Sequence, residues 1–586
     1  MTPGQERAVR ELERIQAASR GDLELLKAPE FINDRMVVEI SIRMGLVEAQ
    51  EGGLELRERE DFLLSVPPDF PFEYPTIYIT NDRFASVPHV IWSKWICLYQ
   101  TKLEWNPADG MFGFMDRFCK WLWKAAINDL DPLDEPLEPP HHVTTFAQVP
   151  FVVRSNAPVA AGKPWYGVVE VEQYPNRIEL VGWNDLSGDW LGDRRLALAI
   201  ILPEPLPMQF PKMGADLFRE FNKQKVDSNQ IIRNLALASL FTQKDAPIHL
   251  VVGLPMRRAA DGSPRIHVAV WSTPPEFAET LRKVLPENAD TEVIRGIRQD
   301  LSDALFSLFE KTEIVWCRTM EDRSEIVVRR DSGTSLEWFV GKRILILGCG
   351  ALGSWISEMI ARVGPLSLHV LDNASVKPGL LARQNYVAAD IAADKADALA
   401  RRLREVAPIL DVQSINEDAH GYLTKKIEII SGYDVVIDCT ASNIFQMKME
   451  RDWHLFEGHT PIVVSMIIDS QAKRCLFVCV DRQSSSGIWD AYVQLKYRLC
   501  TQGSAPDLAD AFYSEGATTN LFQPEPGCSD PTFTGSTADV CNISATALNM
   551  TAEFLANGTL KVGAAFSVHS LQKRGETRLL SFPEMR

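Results

Sequence analysis

Between residues 343 and 372 a strand, a glycine-rich turn, a helix and a second strand follow one another. RILILG (343–348) is a continuous apolar run, and Gly348-Cys349-Gly350-Ala351-Leu352-Gly353 has the form GxGxxG. Leu352, Trp355, Ile356, Met359, Ile360 and Val363 then recur at helical spacing, and SLHVLD (367–372) ends on an acid. Glycines in such a turn let the backbone approach phosphates, and the following helix N-terminus favours their charge. An acid at the end of the next strand is spaced to meet a ribose hydroxyl. YDVVIDCTAS (433–442) and TPIVVSMI (460–467) read as further strands. Strand and helix in this alternation predict a parallel, doubly wound sheet with Gly348, Gly350, Gly353 and Asp372 at a nucleotide site.

The fingerprint does not say which nucleotide. A dehydrogenase and an adenylating enzyme share it. Arg383, Gln384 and Lys395 follow Asp372. Cations beside a triphosphate neutralise charge as pyrophosphate leaves, whereas hydride transfer needs none. The ordinary alternative for a single Arg or Lys is a solvated surface position.

The remaining chain sets the context. Of 586 residues, 46% are hydrophobic and 24% charged, which suits several folded cores. A net charge of -17 argues against sequence-independent nucleic-acid binding. The ten cysteines form no pair of CxxC elements, so the usual structural zinc signature is missing. The opening MTPGQERAVRELERIQ is charged rather than signal-like, and no apolar run approaches the ~20 residues of a membrane span. A cytoplasmic location with reduced thiols is expected.

DPLDEPLEPP (131–140) supports neither helix nor central strand and reads as a stiff linker. The expected domains are residues 1–130, a linker over 131–144, a second domain over 145–334 and a third over 335–586. In the first, residues 4–18 read as a charged helix, 35–44 as a strand, and 61–80 as two strands around a proline-rich turn. Met111, Phe114, Met115, Phe118 and Leu122 then share one helical face. In the second, segments 177–183, 195–203, 247–255 and 265–271 read as strands of a mixed α/β domain that has no glycine fingerprint.

Two cysteines stand out. Cys528, in PEPGCSDPTFTGSTADV, has the surroundings of an exposed polar loop just before a helix expected near 536. A helix N-terminus lowers a nearby thiol pKa, and a thiolate there can attack an acyl-adenylate. Cys541 is the second choice, in a partly buried helix. Cys97, in VPHVIWSKWICLYQTKLEWNPADGMF, reads in isolation as a buried apolar cysteine. Cys475 and Cys479 read as core residues of a strand, and His141-His142 as solvated.

The run GCGALGS…VLDNASV…ARQNY…DKADALARRL…VVIDCTAS resembles the ThiF-type adenylation domain of ubiquitin-activating enzymes and their bacterial thiamin- and molybdopterin-pathway relatives, over about residues 335–545. That resemblance implies that Asp372 holds ribose, Arg383 and Gln384 contact phosphates and Lys395 assists adenylation. It implies ATP with Mg2+, and Cys528 as the transfer thiol. The chain departs from the family at Ala374, Leu380 and Ala441, the last standing where the family has its magnesium-linked acid. Asp438 is the remaining acid of that motif. Arg329 and Arg330, just before the domain, are further candidates for a phosphate contact.

PPDFPFEYP, His89, Ile96-Cys97-Leu98 and Trp105-Asn106-Pro107 followed by an amphipathic helix resemble a ubiquitin-conjugating domain over about residues 1–130. That resemblance implies that Cys97 accepts the acyl group by thioester exchange. The family's oxyanion asparagine is missing from His89-Val90-Ile91.

The implied fold is an α/β multidomain chain, with an N-terminal α+β ubiquitin-conjugating-like domain followed by two α/β adenylation-type, Rossmann-like domains, the first degenerate. This arrangement resembles the fused ubiquitin-transfer enzymes of bacterial CBASS antiphage operons. That family implies a homodimer that adenylates the C-terminus of a cyclic-nucleotide synthase and transfers it to a target amine. Three alternatives stay open at this point: transfer of a bacterial ubiquitin-like protein, an NAD-dependent oxidoreductase, and a non-catalytic scaffold that binds ATP.

Overall fold

A computed structural model describes residues 1–130, 149–185, 195–255, 265–284, 299–455, 460–480, 487–514, 532–557, 564–569 and 578–581, apart from 46, 85–86, 92–93, 100, 205, 207–210, 324–325, 327–330 and 502–505. Cys528, Arg329, Arg330, His141-His142 and the proline-rich linker lie outside the described residues. The chain divides into two compact units, Met1–Arg329 and Arg330–Arg586.

In the first unit, Thr2 starts helix α1 (Pro3–Ala18). Its hydroxyl accepts the Gln5 amide, and the Gln5 side chain takes the Thr2 amide in return. Pro3 occupies the first turn, where no amide hydrogen is needed. Strands β1 (Leu23–Leu25), β2 (Glu30–Ile32), β3 (Arg35–Arg43), β4 (Arg59–Val66), β5 (Thr76–Ile79) and β6 (Trp95–Ile96) form an antiparallel sheet in the order β1-β3-β4-β5-β6, with β2 also on β3. Met36, Val38 and Ile40 alternate inward, as period-two patterning demands. Helix α2 (Gly110–Ala126) buries all five residues of the face read from the sequence. Glu11 of α1 accepts the Met111 amide at 2.7 Å, so a carboxylate from one helix caps the start of the other. Gly110 has φ +56°, and a Cβ there would lie 2.6 Å from that same carboxylate.

A second sheet of this unit holds β7 (Phe151–Val153), β8 (Trp165–Gln173), β9 (Ile178–Asn184), β10 (Arg195–Ile201), β11 (His249–Pro255), β12 (Ile266–Ser272), β13 (Val315–Cys317) and β14 (Thr319–Glu321), in the order β13-β12-β11-β10-β8-β9-β7-β14. Strands β10 and β11 run parallel across a helical crossover of α3 (Gly214–Lys223) and α4 (Ser228–Leu240). Helices α5 (Pro275–Val284) and α6 (Gln299–Glu310) follow β12. Leu198 and Ile200 face all four of these helices, while Ala197, Ala199 and Ile201 face a core of strand and loop residues. A row of polar groups crosses three strands: His249 Nδ1 lies 2.7 Å from Ser272 Oγ, which lies 3.0 Å from Cys317 Sγ. Burial pushes His249 down to about 4 and Cys317 up to about 11.

The second unit has β15 (Arg343–Leu347), α7 (Ala351–Val363), β16 (Ser367–Leu371), α8 (Lys395–Val406), β17 (Asp411–Ile415), α9 (Ala419–Ile430), β18 (Val435–Asp438), α10 (Asn443–Asp452), β19 (Ile462–Ile468), β20 (Arg474–Val480), α11 (Ile488–Thr501), α12 (Pro506–Tyr513), α13 (Thr537–Ala556), β21 (Ala564–His569) and β22 (Arg578–Ser581). Strand order is β17-β16-β15-β18-β19-β20-β21-β22. The first five are parallel, as expected. The sheet then continues antiparallel through β20, β21 and β22, which the alternation of strand and helix does not foretell. Only five residues, 469–473, join β19 to β20, too few for a parallel crossover. Ile344 and Ile346 pack with α7, α8 and α13, while Leu345 and Leu347 pack with α9, α10 and α11, so helices cover both faces. Among the described residues, no helix is long and apolar enough to cross a membrane.

Candidate functional site

The strand registers bring the predicted residues to one edge of the sheet. Leu347 pairs with both Leu371 and Asp438, so the chain leaves β15, β16 and β18 side by side. This is where the strand order reverses, the place where open α/β sheets take ligands. Gly348 has φ +85°. A Cβ on Gly353 would lie 1.8 Å from the Gly348 carbonyl oxygen, a collision that forces glycine there. Gly350 precedes α7 and has open space where a Cβ would stand.

Asp372 braces this turn. One carboxylate oxygen accepts the Cys349 amide at 2.7 Å and the other accepts the Ala374 amide at 2.8 Å. A carboxylate has about four lone-pair sites, so two further donors can be accepted. Burial lifts the Cys349 thiol well above its ordinary range, and Asp372 adds to that lift while Lys395 opposes it. The Lys395 amide donates to Ala374 O at 2.9 Å, which sets the start of α8 beside the Asp372 loop. The Tyr386 hydroxyl donates to Cys349 O at 2.8 Å and lies 3.3 Å from Lys395 O, tying the turn to the start of α8.

Arg383 is buried, and burial lowers its pKa. Its guanidinium lies 4.7 Å over the Phe533 ring and donates to Phe533 O at 2.8 Å. The Arg383 Nε and the Gln384 Oε1 are buried without partners among the described residues. Thr532 and Phe533 line a cavity of about 340 Å3 together with Ala351, Cys439, Thr440 and Asp469. That volume is at the lower end of small-molecule sites, roughly 300–1,000 Å3. The segment four residues past Cys528 is thus held against the helix N-terminus of the glycine turn. Ser536 caps α13, which starts at Thr537, close to the expected position. Cys541 is half-buried in α13, with its thiol raised by burial.

Asp438 is fully buried and committed to internal partners. It accepts from Thr440 N and Oγ1 at 3.0 and 2.6 Å, from Ser465 Oγ at 2.8 Å and from Gln446 Nε2 at 3.4 Å. It shapes the loop 439–442 through these bonds. With Ala441 in place of an acid, these residues do not fit a protein-held Mg2+. No group of three or more potential metal ligands exists among the described residues.

In the first unit, Cys97 directly follows β6 and is half-exposed. Its Sγ lies 3.4 Å from Tyr99 O, and its amide donates to His89 O at 2.7 Å. His89 has φ +67°, and its Nε2 lies 3.3 Å from Leu130 O. Cys475 and Cys479 are buried in β20, as read from the sequence.

Residues 334–562 match the model of the ThiF family, and residues 5–153 match that of prokaryotic E2 family A. The chain joins a ThiF adenylation domain to an E2-like domain. Over 126 residues it is 32% identical to an ATP-dependent ubiquitin transferase-like protein Cap2 from Vibrio cholerae serotype O1, covering 21% of each chain. Over 179 residues it is 28% identical to the protein of the same name from Enterobacter hormaechei subsp. hoffmannii, covering 30% of this chain and 29% of that one. Each alignment thus spans less than a third of the relative's own length. The Escherichia coli tRNA N6-threonylcarbamoyladenosine dehydratase structure in complex with AMP is similar at 17% identity and TM-score 0.25, over 38% of this chain and 90% of that one.

The ThiF domain also uses residues that sequence reading passed over. Glu358 is buried and accepts from Asn385 Nδ2 at 2.6 Å, Arg402 Nε at 2.6 Å and Arg362 Nη2 at 2.5 Å. Burial raises its pKa, but these three donors outweigh it and hold the carboxyl at about 2. One carboxylate therefore clamps α7, the Arg383-Gln384-Asn385 segment and α8. A lone acid inside the apolar arc of α7 was the available signal.

Proposed function

We propose that this chain is an ATP-dependent protein-conjugating enzyme. The carboxylate at a partner protein's C-terminus attacks the ATP α-phosphate, and pyrophosphate leaves while Arg383 and Lys395 offset its charge. Asp372 accepts the ribose hydroxyls, and Gln384 lies beside the phosphates. The Cys528 thiolate attacks the acyl carbon and AMP departs. The Cys97 thiolate then takes the acyl group from Cys528, and a target amine takes it from Cys97, releasing the thiolate. Mg2+ is expected with ATP, but no step is assigned to it, because the acid of the loop is Ala441 and Asp438 is committed.

In the full reading, residues 1–130 are the conjugating-like domain, 131–144 a linker, 145–334 a degenerate adenylation-like domain and 335–586 the activating domain. The enzyme acts as a cytoplasmic homodimer on a CBASS cyclic-nucleotide synthase in antiphage defence. Transfer of a bacterial ubiquitin-like protein would use the same chemistry. The carrying observation is that Thr532 and Phe533, just past Cys528, wall the cavity at the N-terminus of α7, in a chain that also has an E2-like domain.

The test is mass spectrometry of Cys97→Ser protein purified from its native cells, with Lys395→Ala as control. Serine traps the acyl group as a slower-reacting oxyester. An adduct on residue 97 that vanishes in the control supports the chain of transfers, and its mass identifies the partner. No adduct, together with ATP binding but no pyrophosphate release when neighbouring gene products are supplied, would leave a nucleotide-binding scaffold.

A further inference from the structure

An acyl group leaving Cys97 for an amine passes through a tetrahedral oxyanion, and such an anion needs an aimed donor. The sequence around His89 lacks an asparagine for this purpose, and the nearby groups are engaged elsewhere. The Cys97 amide is bonded to His89 O. The His89 Nε2 lies against Leu130 O. Asn106, in the Trp-Asn-Pro turn, accepts the Ala108 amide at 3.1 Å and reaches Asp109 Oδ1 at 3.4 Å. The Arg117 Nε donates to Leu98 O at 2.5 Å.

Among the described residues, the Tyr74 hydroxyl is a further candidate. Pairing of Ile77 with Ile96 and of Tyr78 with Trp95 brings the segment before β5 alongside the segment after β6. Tyr74 and Tyr99 meet there with ring centroids 5.0 Å apart, and Tyr99 O is the atom 3.4 Å from the Cys97 sulfur. Trp105 lies 6.4 Å from Tyr74 and 5.6 Å from Tyr99, and the Arg117 guanidinium covers Tyr99 at 4.4 Å. These contacts hold the half-buried Tyr74 phenol on the segment that runs alongside the one carrying Cys97. The Tyr74 hydroxyl has no hydrogen-bond partner among the described residues. Burial raises its pKa, and the neighbouring Cys97 raises it further, so it keeps its proton throughout the neutral range.

We propose that the Tyr74 hydroxyl is a catalytic hydrogen-bond donor to the oxyanion formed on the acyl group carried by Cys97. The amine nitrogen bonds to the thioester carbon, and the carbonyl electron pair moves onto oxygen, where Tyr74 donates. The intermediate collapses, the carbon–sulfur bond breaks, Cys97 leaves as thiolate, and the nitrogen's surplus proton passes to water. The inference rests on Cys97 as an acyl carrier, as proposed above.

The test bypasses adenylation. The full chain is loaded by thioester exchange from a short peptide bearing a C-terminal mercaptoethanesulfonate thioester, and the Cys97 adduct is followed by mass spectrometry after lysine or hydroxylamine is added. Tyr74→Phe is expected to slow discharge about 100-fold, the size seen when one oxyanion donor is removed, with the loading plateau unchanged. Replacing Tyr74 with 3-fluorotyrosine keeps both packing and donor, and discharge stays at or above the wild-type rate. Wild-type discharge in Tyr74→Phe overturns the proposal. So does an equal loss in both variants, which would mark a packing role. A wild-type chain that takes no peptide on Cys97 overturns the acyl-carrier reading along with it.

Discussion

The second sheet of the first unit and the sheet of the second unit each contain a parallel crossover, but they end it differently. β10 leads into Leu202-Pro203-Glu204 and two helices before β11 returns. β15 leads straight into Gly348 and one helix before β16 returns. Helices cover one face of the former among the described residues and both faces of the latter. On the proposed function, a parallel crossover alone does not make a nucleotide edge. Three strands must end level, with a turn of glycines at the strand-order reversal and an acid on the next strand to brace it.

The largest expected effect separates these two crossovers by one substitution in each. Gly353→Val drives carbon into the Gly348 carbonyl, 1.8 Å away from the first added atom, and should abolish ATP binding in calorimetry. Gly253→Ala in β11 first meets side-chain methyls of Ile201 and Ile266, at 2.5 and 2.7 Å. It should cost about 1–3 kcal/mol in urea unfolding as overpacking, with ATP affinity unchanged. Equal loss of ATP binding in both would break the contrast.

A smaller effect is expected at Glu358. Glu358→Ala leaves the buried Asn385 amide without its acceptor and should cost about 2 kcal/mol. The loss should appear in hydrogen exchange as faster opening of α8 and of residues 383–386 before any change in the first unit. The carboxyl's contribution is present above its ordinary pKa, near 4.5, and fades as pH falls toward about 2.

The smallest per pH unit is an effect of opposite origin in the first unit. His249 is held neutral by burial, with its pKa lowered to about 4. The unfolded chain binds that proton near pH 6.5 and the folded chain does not. As pH falls from 6.5 to about 4, stability should therefore drop by about 1.4 kcal/mol per pH unit and then level off. His249→Asn should flatten that slope while leaving the Glu358 window between about 4.5 and 2 intact. Unfolding followed separately in the two units by hydrogen exchange would check both.

These contrasts also mark what sequence could carry. The glycine turn, Asp372 and the faces of α2 and α7 repeat at short, regular intervals, so neighbouring letters suffice to place them. Strand β8 was overlooked, although it pairs with both β9 and β10. Its last four residues, Glu170 to Gln173, present the half-polar mixture of an outer segment rather than an apolar run. Asp438 could be read as a ligand because its four partners are spread over residues 440, 446 and 465. The clasp between Arg383 and Phe533 spans 150 residues of chain. Long-range commitments of this kind decide which polar groups remain available, and no local pattern reports them.

The carboxylate that α1 lends to α2 has a practical consequence for anyone trimming this protein. A chain started at β1 would lose Glu11 from the Met111 amide, and with it Gln5, whose side chain reaches Asp34 O at 2.8 Å and Val66 O at 3.5 Å. The start of α2 and the Asp34 and Val66 carbonyls would lose these partners at once. Affinity tags and fusion partners belong ahead of Thr2 on a spacer, and the first eighteen residues are not an expendable leader for expression.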